Sequence, residues 1–296
     1  MISERAVNSI KNAISVDVED YYHVAALSKV IARDQWNSME SRVESSTHRL
    51  LDLFDTKNVK GTFFILGMVA EHDPELISEI ARRGHEIACH GYSHQLIYTQ
   101  TQKVFREETL RAKSMLEDIV QAPVIGYRAA SYSITQESLW ALDILAEAGF
   151  TYDSSIFPVR HDRYGIPDAE ERPHVLKTPS GYTLTEFPLS TYKILNYKLP
   201  VAGGGYFRLF PYALTQFAFR RINAAGKSAV FYLHPWEVDP DQPRFNASLL
   251  SRFRHYNNLD KCEQRLSRLI NDFQFTTLRN VLEDLNLLPD VQSAAA

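Results

Sequence analysis

The chain has 296 residues, 45% of them hydrophobic and 23% charged, which suffices for one large domain or two ordinary ones with buried cores. A net charge of −4 with 32 scattered Lys and Arg argues against a nucleic-acid surface, and no apolar run approaches the length of a bilayer span. Cys89 and Cys262 are too few and too far apart for a disulfide framework, and the N-terminal stretch interleaves Glu4, Arg5 and Lys11 with short apolar pieces, so a cytoplasmic protein is expected.

Residues 13–18, Ala-Ile-Ser-Val-Asp-Val, read as a strand ending in the acids Asp17, Glu19 and Asp20. Helical spacing over 38–57 leads into Lys60–Leu66, a buried strand, and Asp73-Pro74 opens a helix that Gly84 closes. His85–His90 is the next strand. A long amphipathic helix over 101–120 precedes a strand at 124–128 that delivers Arg128. A helix over 135–148, stopped by Gly149, precedes a strand at 150–155. This alternation implies an α/β fold on a parallel sheet, in a single domain spanning 1–296. From about 156 to 210 the pattern loosens into an irregular, proline-rich insertion with a glycine run at 203–205 and a strand at 183–187. A helix at 211–225 feeds the last strong strand, Ser228–Leu233, which ends in His234-Pro235-Trp236-Glu237. A helical C-terminal extension over about 238–290 is expected to pack on the outside, with a frayed tail at 291–296.

Parallel α/β folds gather their chemistry at the C-terminal ends of the strands. The residues found there are Asp17, Glu19, Asp20, His90, His94, Arg128, Asp153 and His234. Two imidazoles four apart plus a carboxylate make a common catalytic zinc set that leaves room for water. The plainer alternatives are a pair of surface histidines and acids that merely face solvent or charge a helix end. Asp17 and Glu19 project from one side of an extended strand and Asp20 from the other, which makes Glu19 the expected metal ligand and Asp17 the expected base. Arg128 reads equally as an ion-pair partner for these acids or a catalytic positioner. Trp236 reads as packing or as a sugar platform.

With these residues in hand, the chain resembles the polysaccharide deacetylases of the NodB-homology group, carbohydrate esterase family 4, and within it a bacterial exopolysaccharide (exosortase-locus) subgroup with a C-terminal extension. Asp17-Val-Glu19-Asp20 stands at the acidic first motif, His90-Gly-Tyr-Ser-His94 at the H-x-x-x-H motif, Gly126-Tyr-Arg128-Ala-Ala-Ser131 at the arginine motif and Tyr232-Leu-His234 at the fifth. The resemblance implies a distorted (β/α)7 barrel and a divalent metal, usually Zn2+, held by Glu19, His90 and His94. It further implies Asp17 as base, Arg128 as its partner, His234 as acid to the departing amine, and Asp153 as the group orienting His234. A backbone N–H near Ser131 would stabilise the oxyanion, and Ser131, Tyr132 and Trp236 are the substrate-binding candidates. The chain departs from the family where Val18 separates the two acids, which keeps Asp20 as a rival ligand, and where Ala130 and Ser131 replace the usual proline and aromatic residue. The expected activity is removal of N-acetyl groups from an amino-sugar saccharide or a polysaccharide precursor. The alternatives are a small-molecule amidohydrolase (imidase or allantoinase-like) on the same site and a non-catalytic carbohydrate-binding barrel.

Overall fold

The computed structural model describes residues 10–195 and 197–288, so the tail expected at 291–296 lies outside the described residues. In chain order its elements begin with β1 Lys11–Val18, α1 Val43–Thr56, β2 Thr62–Ile65, α2 Gly67–His72, α3 Pro74–Arg82, β3 Glu86–Cys89, α4 Gln102–Val120, β4 Gly126–Tyr127, α5 Trp140–Glu147 and β5 Tyr152–Asp153. There follow β6 His174–Lys177, β7 Thr183–Glu186, β8 Thr191–Ile194, β9 Tyr197–Pro200, α6 Gly204–Leu209, α7 Tyr212–Ala224 and β10 Val230–Leu233. The chain closes with α8 Leu249–Tyr256, α9 Leu259–Asp272, β11 Gln274–Thr276 and α10 Leu278–Asp284.

The sheet runs β10-β1-β2-β3-β4-β5-β7-β6, parallel except for the β6–β7 hairpin at its end. β1 lies inside the sheet and is buried on both faces from Asn12 to Val18. Its alternation divides the core in two. Ile14, Val16 and Val18 pack outward with α1 residues such as Leu50 and Phe54, whereas Ala13 packs inward with Phe64, Tyr152 and Tyr232. Ser15 and Asp17 share that inward parity, which sends a carboxylate to the inner face of the sheet.

The segment expected to be an irregular insertion is partly built into the sheet, because β6 and β7 extend it beyond β5 and β8–β9 forms a separate hairpin. No ladder among the described residues joins β10 to β6. The gap beside β10 is instead crossed by Ser190, whose hydroxyl accepts from Val230 N at 2.8 Å, and by Ala202, whose carbonyl accepts from Tyr232 N at 2.7 Å. Gly203 bridges Tyr232 in parallel with φ +130°, and a Cβ there would stand 1.9 Å from the Tyr232 carbonyl oxygen, so the glycine run exists for this close approach. The C-terminal extension is not wholly external either. β11 pairs with Lys11–Ala13 of β1 because Phe275 buries into the main core there. Cys89 and Cys262 are buried free thiols. No helix among the described residues is long and apolar enough to cross a membrane.

Candidate metal centre and catalytic site

Each sequence-predicted residue sits just past or near the end of a strand. Glu19 follows β1, and its carboxylate lies 2.6 Å (Oε2) from His94 Nε2 and 3.2 Å (Oε1) from His234 Nε2. His90 follows β3, its N–H bonded to the Ile65 carbonyl at 2.8 Å. Gly91, at φ +76°, turns the chain so that its carbonyl accepts from Gly67 N at 2.8 Å. Ser93 then anchors the loop through Glu108 at 2.7 Å, and His94 is held in the left-handed region at φ +54°, a strained conformation that the packing imposes.

Glu19, His90 and His94 each offer one ligand atom, and these atoms lie within 4.8 Å of one another. The donor chemistry fits a divalent cation. His90 Nδ1 is engaged by the Arg128 carbonyl at 2.8 Å, which frees Nε2. Glu19 Oε2 is buried with no hydrogen-bond partner although it almost touches His94, so two electron-pair donors converge where a cation would satisfy both. Burial works against the Glu19 carboxylate, but His94 and His234 outweigh it and hold its pKa well below the usual range. Burial pushes His90 down to about 4, which keeps the ring neutral and able to ligate.

Asp20, the rival ligand, is committed elsewhere. One oxygen accepts from Tyr21 N at 2.9 Å, and the other from Ser41 Oγ at 3.0 Å, Arg42 N at 2.7 Å and Val43 N at 3.1 Å. The last two are the first donors of α1, so Asp20 caps a helix from a distance in sequence that conceals the role.

Asp17 is itself buried. Arg128, fully buried, donates to it and to Ser15 Oγ from Nη1, both at 2.7 Å, while Nη2 bonds Ser154 Oγ at 2.9 Å and the guanidinium covers the Phe64 ring at 4.0 Å. Tyr132 OH donates to the second Asp17 oxygen at 3.3 Å. Ser131 and Tyr132 both have φ above +50°. The N–H groups of Tyr132 and Ser133 are taken by the carbonyls of Ala129 and Ala130, which leaves the Ala130 and Ser131 N–H groups of that turn without an acceptor among the described residues. Ser131 lines a cleft of about 410 Å³ together with His23, Arg33, Trp36, His94 and Arg163.

Two assignments change. Asp153 does not orient His234: it accepts from Ser155 Oγ at 2.5 Å and faces Glu186, both acids fully buried. Burial pushes Asp153 up to about 6, and burial plus the Asp153 charge carries Glu186 well above its usual value, so the two share a proton at neutral pH. His234 is held instead by Glu237 (Nδ1–Oε1 2.7 Å), which Arg208 grips in turn (Nε–Oε2 2.6 Å). Burial opposes charge on His234, yet Glu19 and Glu237 prevail and push it up to about 9. Trp236 is no exposed platform. It stacks between His234 (5.1 Å) and His255 (4.6 Å) at 6% exposure. Sequence reading also missed His23, buried beside His94 and Trp36 with Nε2 unpartnered.

The polysaccharide deacetylase family model matches residues 34–152, and a model described as a domain of unknown function (DUF3473) matches 154–283. The peptidoglycan deacetylase of Helicobacter pylori is 32% identical over 111 residues, 36% of this chain and 36% of that protein. The chain spans about a third of the length of the curated relatives it matches. Among solved structures, a Mycobacterium smegmatis protein assigned to the polysaccharide deacetylases covers 93% of this chain and 91% of its own at 22% identity and TM-score 0.60. The Puue allantoinase covers 94% and 90% at 17% identity and TM-score 0.61, so the fold is shared by both. Residues 34–152 therefore carry a polysaccharide deacetylase domain of the NodB-homology type, carbohydrate esterase family 4.

Proposed function

We propose that this protein is a divalent-metal-dependent hydrolase, zinc being the metal the donor set suits best, that removes N-acetyl groups from an amino-sugar saccharide or polysaccharide precursor. One observation carries the reading: a buried Glu19, His90 and His94 trio has an Arg128-bound carboxylate, Asp17, and a carboxylate-bound imidazole, His234, beside it. When bound, the cation supplies Lewis acidity toward water and the amide carbonyl. Asp17, fixed by Arg128 and Tyr132, takes the proton of the attacking water. The Ser131 N–H donates to the oxygen on which charge develops. His234, held in one orientation by Glu237, gives a proton to the departing amine. The burial of Arg128, Asp17 and Glu237 keeps water from competing for these hydrogen bonds.

The test is acetate release from N-acetylated glucosamine oligomers by purified protein, before and after chelation and after readdition of Zn2+, with bound metal measured in parallel. Acetate release that chelation abolishes and zinc restores supports the assignment. Turnover indifferent to the chelator, or turnover of cyclic imides with none of acetylated saccharides, overturns it.

A further inference from the structure

α8, Leu249–Tyr256, belongs to the C-terminal extension and turns large apolar side chains to solvent. Leu249 is 83% exposed, Leu250 57% and Phe253 53%, whereas His255 on the same helix is buried. At about 100° of rotation per residue, the three exposed side chains fall within one arc of roughly 100° whose middle points almost directly away from His255. Arg254 follows Leu250 on one flank of that arc, and Arg252 stands beside Leu249 on the other, both exposed. The outcome is an apolar ridge bordered by a guanidinium on each side. Among the described residues neither guanidinium makes an ion pair, and the Asp162 carboxylate, on the loop across the neighbouring cleft, is bound to His161 at 3.0 Å. From Gln242 to Asn258 the sequence has three arginines and no Asp or Glu, in a chain whose net charge is −4.

The helix is held in place from below. Buried Arg208 donates to the carbonyls of Arg254, His255 and Asn257 at 3.1, 2.8 and 2.9 Å, and Ser248 Oγ caps the first turn by accepting from Ser251 N at 3.2 Å. The ridge is thus presented outward before anything binds it, so little ordering is left to be lost on docking.

A bilayer boundary matches this pattern, with acyl carbons for the ridge and, just above them, phosphates for the arginines that flank it. Phosphates accept from guanidinium forks, and an anionic leaflet attracts a basic segment that carries no acid. A second copy of the chain fits worse. A two-fold contact would set these arginines against their own counterparts, and a helix of about 12 Å cannot supply the roughly 800 Å² per copy of a stable interface.

We infer that α8 docks this protein on an anionic lipid bilayer, with Leu249, Leu250 and Phe253 set among the acyl carbons and Arg252 and Arg254 on the lipid phosphates. The docking goes beyond the deacetylase reading and does not depend on it.

The test is co-sedimentation of the full chain with vesicles of phosphatidylcholine alone and of phosphatidylcholine containing about one third phosphatidylglycerol. Binding to the anionic vesicles should exceed binding to the neutral ones by about tenfold or more at low salt and should fall as salt is raised. The double variant Leu250→Ser, Phe253→Ser should weaken it about tenfold or more, and Arg252→Gln, Arg254→Gln about fivefold or more. Leu110→Ser, which removes an exposed apolar side chain from α4, should bind as the wild type does. Every exchanged side chain is exposed, so the variants fold, and thermal unfolding checks that they do. Anionic vesicles left unbound by the wild type, or bound equally by the wild type and both double variants, overturn the docking. A dimer in solution that the Leu250, Phe253 variant dissociates, with no vesicle binding, assigns the ridge to a second copy and overturns it too.

Discussion

Replacing Arg128 with methionine probes the buried ion pair it forms with Asp17. Arg128 is fully buried, and its donors serve Asp17 and Ser15 at 2.7 Å and Ser154 Oγ at 2.9 Å. Methionine keeps apolar bulk over Phe64 but leaves the Asp17 carboxylate buried with Tyr132 OH, at 3.3 Å, as its remaining side-chain donor. Removing one member of a buried pair costs about 3–5 kcal/mol, because the surviving charge keeps its desolvation penalty. In a chain of this size that lowers Tm by about 10 °C. The double variant Asp17→Asn, Arg128→Met removes both charges and should regain about half of the loss or more. The assay is denaturant unfolding of wild type, both singles and the double, at fixed metal content, read as a double-mutant cycle. A double variant as unstable as Arg128→Met would refute the reasoning, since the loss would then lie in packing and not in a stranded charge.

Glu19→Gln should strip the tightly held divalent metal, whereas Asp20→Asn should keep it and lose about 1–2 kcal/mol of stability through the α1 cap. Metal content by mass spectrometry decides, and the opposite pattern makes Asp20 the ligand. For the Asp153–Glu186 pair, the folded state holds a proton that the unfolded chain has lost above about pH 4, so stability falls as pH rises through neutrality. Glu186→Gln, which can donate to Asp153 as the protonated acid does, should flatten that fall and gain stability at pH 8; stability curves that stay parallel from pH 5 to pH 9 contradict a shared proton. Trp236→Ala should cost about 3–5 kcal/mol and lower kcat with little change in KM, because the ring packs behind His234. Unchanged stability with a raised KM would return Trp236 to the role of sugar platform.

The residues whose placement is legible from sequence are those that end a strand. Asp17, Glu19, His90, Arg128 and His234 each terminate an apolar run, and period-two alternation alone sends Asp17 inward. What escaped the sequence depends on contacts between distant segments. Asp20 looks like a ligand until α1 arrives 22 residues later to claim it. Glu237 looks like a neighbour of the functional residue and not its support, because Arg208, 29 residues upstream, lies in a stretch whose prolines and glycines carry no periodic signal. Asp153 was misread for the converse reason: its strand end has the right chemistry, but Glu186, a β7 residue, sits against it and takes up its charge. Short elements such as α2, α6 and β11 fall below the length at which periodicity declares itself.

The position of β1 has a consequence for how the protein is made. Its first parallel partner, β2, follows within the next fifty or so residues, but the ladder on its other side waits for β10, and Ser15 meets Phe231 across 216 residues. At a synthesis rate of roughly 5–20 residues per second, that edge stays unpaired for about 10–40 s after it leaves the ribosome. An unpaired, largely buried strand edge is a template for pairing with another chain. Asp17 and Glu19 sit at its C-terminal end, so before they could take the roles proposed above they place negative charge beside this strand of the nascent chain. Their carboxylates then serve as gatekeepers during synthesis, and variants that neutralise both trade catalytic competence and yield of soluble protein together.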